Sequence, residues 1–292
     1  MTTMRKLPIG IQSFENIRNE NYLYVDKTAL IYQLVTKGKP YFLSRPRRFG
    51  KSLLISTLEA YFQGKKELFK GLAIDQLEQD WNVYPVLHLD LNARKYESEA
   101  DLVAILNQYL EMWEADYGDE MKLRAPEERF FYVIRRAWEQ TGRQVVVLID
   151  EYDKPLLQTI HNEPLQEAYR HIMKAFYGVL KSADRYLRFV FLTGVTKFAQ
   201  VSVFSDLNQL NDISLDYDYA TLCGITHAEL VDNLTPELEQ LGQMQSLSRE
   251  GTVETMVRQY DGYHFHPSRE GVFNPFSALS ALRKLSLIHI SE

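Results

Sequence analysis

Short apolar runs alternate along this chain with longer segments whose apolar residues recur at helical spacing. The runs are rich in β-branched and aromatic residues and are bordered by proline, glycine or acidic residues, a pattern that favours strands. The clearest runs are Tyr41–Ser44, Val86–Leu91, Val145–Ile149 and Leu187–Leu192, and weaker ones lie at Tyr22–Val25 and Tyr219–Ile225. The run at Val145–Ile149 is continuously apolar, which is typical of a strand buried on both faces of a parallel sheet.

Amphipathic helices are predicted between these strands. The main segments with helical periodicity are Lys51–Phe62, Asp101–Ala115, Pro126–Thr141 and Pro164–Leu180. Strands that alternate with helices favour a parallel sheet with right-handed crossovers. We therefore expect an α/β fold with a mostly parallel sheet of about five strands, helices on both faces, and functional residues at the carboxyl ends of the strands.

The predicted organisation has three parts. Residues 1–235 form the α/β core, and residues 236–284 form a helical C-terminal part of the same region, with helical patterns from Thr226 onward. Residues 285–292 are expected to be a non-native or truncated tail, because the pattern stops abruptly there and offers no capping residues.

Composition narrows the function classes. The chain has 292 residues, of which 45% are hydrophobic and 25% charged, and its formal net charge is −6. Such a chain can bury a substantial core, and its acidity gives no support to a nucleic-acid or membrane partner. Cys223 is the only cysteine, which excludes an intramolecular disulfide. No apolar run approaches the ~20 residues of a membrane span, and we expect a cytoplasmic protein.

A basic loop follows the first central strand. It reads Ser44-Arg45-Pro46-Arg47-Arg48-Phe49-Gly50-Lys51-Ser52-Leu53, and its end fits the P-loop pattern G-x-x-x-x-G-K-[ST] with Arg45 in place of the first glycine. In this interpretation backbone N–H groups wrap the phosphates of ATP, Lys51 reaches the β- and γ-phosphates, and the Ser52 hydroxyl binds Mg²⁺. The candidate nucleotide-binding residues are Arg47, Arg48, Phe49, Gly50, Lys51, Ser52 and Leu53.

Two alternatives to this interpretation stay open for the loop. The Gly50-Lys51-Ser52 stretch by itself could be an ordinary surface turn. The arginines of the loop, Arg45 and Arg47 in particular, could add positive charge at the phosphates or pair with surface carboxylates instead.

An acidic pair ends the buried strand at Val145–Ile149. Asp150 is predicted to help hold Mg²⁺, and Glu151 is predicted to polarise the attacking water as a general base. The alternative is a strand that simply leaves the sheet into an acidic turn. The spacing argues against this alternative. The 99 residues from Lys51 to Asp150 leave room for the one extra β–α unit that separates the two motifs in additional-strand P-loop ATPases. Together the motifs predict an ATP site of the P-loop NTPase kind.

A polar segment, Thr193-Gly194-Val195-Thr196-Lys197, ends the next strand. Thr193 is the candidate sensor of the γ-phosphate and Thr196 is the second choice, although a threonine that satisfies local backbone groups is an equal alternative. Lys197 could neutralise transition-state charge, but a solvated lysine is the simpler interpretation. The predicted catalytic residues are thus Glu151, Lys51 and Thr193.

The chain resembles the bacterial AAA-ATPase-like family, a P-loop group related to the AAA+ and STAND ATPases, over about residues 5–283. The motifs that carry the resemblance are Leu7-Pro8-Ile9-Gly10, Tyr24-Val25-Asp26-Lys27-Thr28, Ser44–Leu53, Leu148–Asp153, Leu192–Lys197, Phe204-Ser205-Asp206-Leu207-Asn208, Tyr260-Asp261-Gly262-Tyr263-His264-Phe265 and Phe273-Asn274-Pro275-Phe276-Ser277. The loop with Arg45 is this family's own form, so the resemblance implies that the missing glycine does not count against the site.

The resemblance also implies function and partners. We expect Mg²⁺-dependent ATP binding and hydrolysis that act as a switch for a partner or for a C-terminal module. The alternatives are a non-hydrolysing regulatory module and a small-molecule phosphotransferase. A homo-oligomer stays open, and family members often carry a nuclease-like second domain through which nucleic acid could become a partner. His264 and His266 are weak metal candidates.

Overall fold

The computed structural model describes residues 6–38, 40–197, 203 and 210–287. Its centre is a five-stranded sheet in the order β2-β3-β4-β1-β5, and every pairing in it is parallel. The strands are β1 (Tyr41–Ser44), β2 (Val86–Asp90), β3 (Val145–Asp150), β4 (Leu187–Gly194) and β5 (Asn211–Asp212). The predicted α/β fold, with a parallel sheet of about five strands, is confirmed.

Helices cover both faces of this sheet. They are α1 (Phe14–Asn19), α2 (Thr28–Lys37), α3 (Lys51–Phe62), α4 (Ala73–Leu77), α5 (Glu99–Tyr117), α6 (Pro126–Thr141), α7 (Lys154–Gln158) and α8 (Glu163–Ser182). One face packs with α2 and α3, whereas the other packs with α5, α6 and α8. Both faces are apolar, which explains why the strand at Val145–Asp150 is apolar without alternation.

The alternation of side chains along the strands sets the position of the candidate acids. Val146 and Leu148 of β3 belong to the cluster on the α3 face, and Phe189 and Phe191 of β4 lie there too. Because side chains two residues apart share a face, Asp150 at the end of β3 also lies on the α3 face. By the same rule Thr193 follows Phe191, so both polar groups end their strands beside the start of α3.

The C-terminal part contains three helices and a second, small sheet. The helices are α9 (His227–Gln245), α10 (Arg249–Tyr260) and α11 (Pro275–Lys284), and the antiparallel sheet consists of β6 (Ile225–Thr226), β8 (Val272–Phe273) and β7 (Asp261–Tyr263) in that order. The expected helical part is therefore confirmed. The weaker strand predicted at Tyr219–Ile225 is wrong for all but its last residue, and of Tyr22–Val25 only Tyr22 forms a bridge, with Lys6.

Helix α9 spans the predicted boundary between residues 235 and 236. It kinks at Leu234, two residues before Pro236, because proline has no backbone N–H to donate and its ring clashes with the carbonyl of the preceding turn. Leu230 and Leu238, on either side of the kink, are buried in one apolar cluster. Of the predicted tail, Leu287 is buried against the same cluster, and residues 288–292 lie outside the described part. The three-part division stays a prediction.

Candidate active site

A cavity of about 510 Å³ opens at the carboxyl ends of the strands, beside the start of α3. Its polar half is formed by the loop Arg47–Leu54 together with Asn92, Glu151 and Lys154. Its other half is largely apolar and is formed by residues from the N-terminal segment, from the segment before β6 and from α11. Residues of the apolar half include Ile9, Leu23, Val25, Leu222, Ile225, Pro275 and Leu279. All seven predicted nucleotide-binding residues line this cavity.

The helix that begins in the loop has a free amino-terminus. Its N-cap is Gly50, whose φ of 89° lies in the left-handed region that favours glycine, and glycine has no side chain with which to cap the helix. The first N–H groups of any helix lack intrahelical acceptors and carry a partial positive charge. Helix α3 therefore presents unsatisfied donors to the cavity, as an anion site requires.

Lys51 lies at the bottom of the loop and is almost fully buried. Its ammonium group donates to the carbonyl oxygens of Arg45 and Pro46 at 3.0 and 3.3 Å, and it lies 3.1 Å from Oε1 of Glu151. The two side chains are only 3% and 16% exposed, so water screens this ion pair weakly. The pair joins the loop to the acidic turn after β3.

The acids after β3 have different partners. Asp150 is buried and accepts a hydrogen bond from the hydroxyl of Thr193, which is itself fully buried. Glu151 takes a left-handed backbone conformation, with φ of 53°, and its side chain turns toward Lys51. Burial raises the pKa of Glu151, and the charge of Lys51 acts against that rise. A raised pKa brings a carboxylate closer to the range in which it works as a general base.

Asp153 is a site residue that sequence reasoning missed. It is fully buried and accepts hydrogen bonds from the backbone N–H groups of Val195 and Thr196, at 3.0 and 2.7 Å, and from the Thr196 hydroxyl at 3.0 Å. These bonds fasten the turn after β3 to the turn after β4. A Cβ on Gly194 would lie 2.5 Å from the Tyr152 ring, so this close approach of the turns requires glycine.

Arg45 fits neither expectation for the loop arginines. It is fully buried and donates to backbone carbonyls rather than facing phosphates or carboxylates, with Nη1 2.7 Å from the oxygen of Ser214 and Nη2 3.1 Å from that of Tyr219. Burial lowers its pKa to about 10. The guanidinium also lies 3.8 Å from the centroid of the Phe265 ring. Arg45 is thus a structural anchor of the loop.

The C-terminal part contacts the loop directly. The buried Phe49 ring packs edge-on against Tyr263 and Phe265, with centroid distances of 4.7 and 5.5 Å. The exposed Arg48 places its guanidinium 4.4 Å from the centroid of Phe276. The carbonyl of Arg47 accepts a hydrogen bond from Asn274 at 3.3 Å, while its side chain is exposed. We call these contacts of Phe49, Arg48 and Arg47 the loop clamp.

The remaining candidates lie apart from the cavity wall. Lys197 forms a salt bridge with Asp212 at 2.7 Å, and the Thr196 hydroxyl donates its hydrogen bond to Asp153. His266 accepts a hydrogen bond from the backbone of Ser268, and within the described ranges no group of three or more His, Cys, Asp or Glu residues could hold a metal. The motif Phe204–Asn208 lies outside the described residues.

The residues present fit Mg²⁺ and ATP. Mg²⁺ keeps most of its waters and needs only one or two protein ligands besides phosphate oxygens. Ser52, which lines the cavity, and the buried Asp150 at the end of β3 carry the oxygens that would form such a set. The free amino-terminus of α3 and the buried ammonium of Lys51 suit a chain of phosphates.

A model of the family described as Predicted AAA-ATPase matches residues 8–204. The chain belongs to this family. The match includes the loop and Glu151, which line the cavity, and the end of β4, where Thr193 is hydrogen-bonded to Asp150. Membership in the Predicted AAA-ATPase family implies use of a nucleotide, and it agrees with the α/β fold and with the resemblance noted in the sequence.

One curated relative is 39% identical over 282 residues, which are 96% of this chain and 52% of the relative. It comes from Azotobacter chroococcum mcd 1 and is described as "Uncharacterized protein in vnfD 5'region". This AAA-ATPase-like chain therefore spans about half the length of that relative. No solved structure matches the chain. Across the described ranges, every helix is too short or too polar to cross a membrane.

Proposed function

We propose that this chain binds Mg·ATP in the cavity and hydrolyses it, and that the C-terminal part responds to the nucleotide as a switch. The observation that carries the proposal is the uncapped amino-terminus of α3, which opens onto the same cavity as Lys51 and Glu151. The cavity volume of about 510 Å³ lies in the range of small-molecule sites. Its apolar half suits the flat base of a nucleotide.

The residues of the site divide the work of phosphoryl transfer. The N–H groups at the start of α3 bind phosphate oxygens, and Lys51 exchanges its carbonyl acceptors for the β- and γ-phosphates. Ser52 and Asp150 hold Mg²⁺, which neutralises phosphate charge when it is bound. Glu151 orients a water molecule and takes its proton. Thr193 fixes the orientation of Asp150, and its predicted role as a γ-phosphate sensor remains part of the proposal.

The loop clamp supports the switch. Phe49 and Arg48 belong to the segment that would wrap the phosphates, and their side chains contact rings of the C-terminal part. Phosphate binding reorganises such a loop, so the contacts that it makes on its other side must change with it. A ligand can shift the C-terminal part only if the two nucleotide states differ in these contacts, and the clamp provides a place for that difference.

Release of phosphate by the wild type and by Glu151→Gln tests hydrolysis. The amide is isosteric but cannot accept the proton of water, so we expect Mg²⁺-dependent turnover to fall by roughly 10²–10⁴-fold while ATP binding persists. Glu67→Gln, a change of an exposed glutamate on the 3₁₀ turn after α3, is the matched control. Equal turnover in Glu151→Gln and wild type would show that the general base is assigned incorrectly.

Two rival functions predict other results. A non-hydrolysing regulatory module would bind ATP yet release no phosphate under any Mg²⁺ concentration. A phosphotransferase would produce a phosphorylated small molecule at a rate above that of hydrolysis. The carboxylate pair at Asp150 and Glu151 suits the attack of water on ATP, so it favours hydrolysis over either rival function.

A further inference from the structure

A third lysine lines the cavity and comes from the same turn as the proposed base. Lys154 follows Glu151 by three residues, and its backbone N–H donates to the carbonyl of Glu151 at 3.0 Å. Both residues line the cavity. Between them Asp153 is fastened to the turn after β4, so the base and this lysine are held in a fixed relation by one rigid turn.

The side chain of Lys154 has a neutral partner. Its ammonium group donates to Oδ1 of Asn92 at 3.0 Å. Burial raises the pKa of the nearby Asp90 carboxyl, and the charge of Lys154 is among the effects that act against that rise. The direct partner of this ammonium group is an uncharged amide, so the cavity wall carries a cation that an anionic ligand can attract.

Three of the four other described cations that line the cavity already have partners, and the side chain of the fourth, Arg47, is exposed. Lys27 forms a salt bridge with Glu229 at 2.5 Å, and Lys51 pairs with Glu151. Arg48 stacks on Phe276 in the loop clamp. Lys197, which the sequence suggested for neutralising transition-state charge, pairs with Asp212 and does not line the cavity.

We propose that Lys154 is a catalytic residue that binds the γ-phosphoryl oxygens in the transition state and thus supplies from the same chain the charge that many ATPases take from a neighbour. This inference rests on the proposed function. The transition state of phosphoryl transfer spreads negative charge over the three oxygens of the γ-phosphoryl group, and a cation placed there is worth up to 10³–10⁵-fold when it is an arginine. For a lysine on a flexible stem we expect about 10²-fold.

The step balances without a further reactant. The oxygen of water forms a bond to the γ-phosphorus while the bond from that phosphorus to the β,γ-bridging oxygen breaks. One proton of the water passes to Glu151, and the products are ADP and inorganic phosphate. Lys154 donates hydrogen bonds to γ-oxygens, exchanging Asn92 for them, and keeps its protons throughout.

The experiment compares Lys154→Met with Lys154→Arg and with the control Lys181→Met, which changes an exposed lysine at the end of α8. Steady-state turnover gives kcat and KM, and calorimetry gives the affinity for ADP with aluminium fluoride, a mimic of the transferring phosphoryl group. We expect Lys154→Met to lower kcat about 10²-fold and to weaken binding of the mimic by a similar factor, with KM for ATP changed less than threefold. Lys154→Arg should keep at least a tenth of the wild-type kcat.

Several outcomes would overturn the inference. If Lys154→Met matches Lys181→Met in kcat and in affinity for the mimic, Lys154 is not catalytic. A rise in KM for ATP with kcat unchanged would assign Lys154 to ground-state binding instead. Mixing Lys154→Met with Lys51→Ala tests whether the charge acts within one chain, and recovered turnover would show that it acts between chains. If the wild type itself releases no phosphate, the proposed function fails and this inference fails with it.

Discussion

Replacing Asp153 with alanine removes the connection between the turns after β3 and β4. The carboxylate is fully buried and accepts from three donors, of which two are backbone N–H groups that cannot turn toward other partners. A buried donor that loses its acceptor costs about 1–3 kcal/mol. The two N–H groups would give about 2–6 kcal/mol if fully buried, but Val195 and Thr196 are half-buried and the change also relieves the cost of burying a carboxylate, so the net loss is about 3 kcal/mol.

Urea denaturation measures this loss. With a slope of about 3 kcal/mol per M for a domain of this size, the midpoint of Asp153→Ala should fall by about 1 M. Asp153→Asn can keep an oxygen for Thr196 and should lose about half as much. The control is Asp80→Ala, which changes an exposed aspartate and should stay within about 0.5 kcal/mol of wild type.

The turn that Asp153 holds also carries Glu151. We therefore expect Asp153→Asn to lower ATP turnover even at a temperature where the variant remains folded. If Asp153→Ala unfolds at the same urea concentration as Asp80→Ala, the hydrogen bonds do not stabilise the turn. The turn that carries Glu151 would then need another source of rigidity.

Two further predictions concern the clamp and pH. Phe265→Leu keeps an apolar side chain but removes the ring that contacts Arg45 and Phe49. Because ring contacts of this kind contribute about 1 kcal/mol, we expect the affinity for ATP, measured by calorimetry, to fall about fivefold. An unchanged affinity would contradict the coupling between the C-terminal part and the loop. Burial lowers the pKa of His88, but the hydrogen bond and charge of Glu59 outweigh it and the net pKa is raised. The pair therefore stabilises the fold fully below about pH 6.5 and less as pH rises through the raised pKa, so His88→Gln should cost more stability at pH 5.5 than at pH 8.5, and an equal cost would refute the pairing.

Local motifs made much of the site predictable. The loop, the acidic pair and Thr193 each follow an apolar run that could be recognised as a strand, and parallel strands bring their carboxyl ends to one edge. The partners within the site were less visible. The bond from Thr193 to Asp150 joins residues 43 positions apart, and only the register of β3 and β4 brings them together.

The structural roles of Arg45 and Asp153 could not be read from the sequence. Apart from the adjacent carbonyl of Ser44, Arg45 finds its acceptors more than 160 residues along the chain, at Ser214 and beyond. A basic residue in a P-loop suggests phosphate contact rather than burial. The small C-terminal sheet was also missed, because strands of two or three residues are too short to show periodicity. The roles of these two residues and the small sheet all depend on contacts that form only when the chain packs into its tertiary structure.

Calorimetric titration with Mg·ATP tests the central claim that the cavity at the start of α3 is an ATP site. We expect one ATP per chain to bind to the wild type, and we expect Lys51→Ala to lose at least about tenfold in affinity because the ammonium group at the bottom of the loop is gone. A control with the exposed Lys181→Met should bind like the wild type. If Lys51→Ala binds Mg·ATP as tightly as this control, ATP does not occupy the loop and the account is wrong.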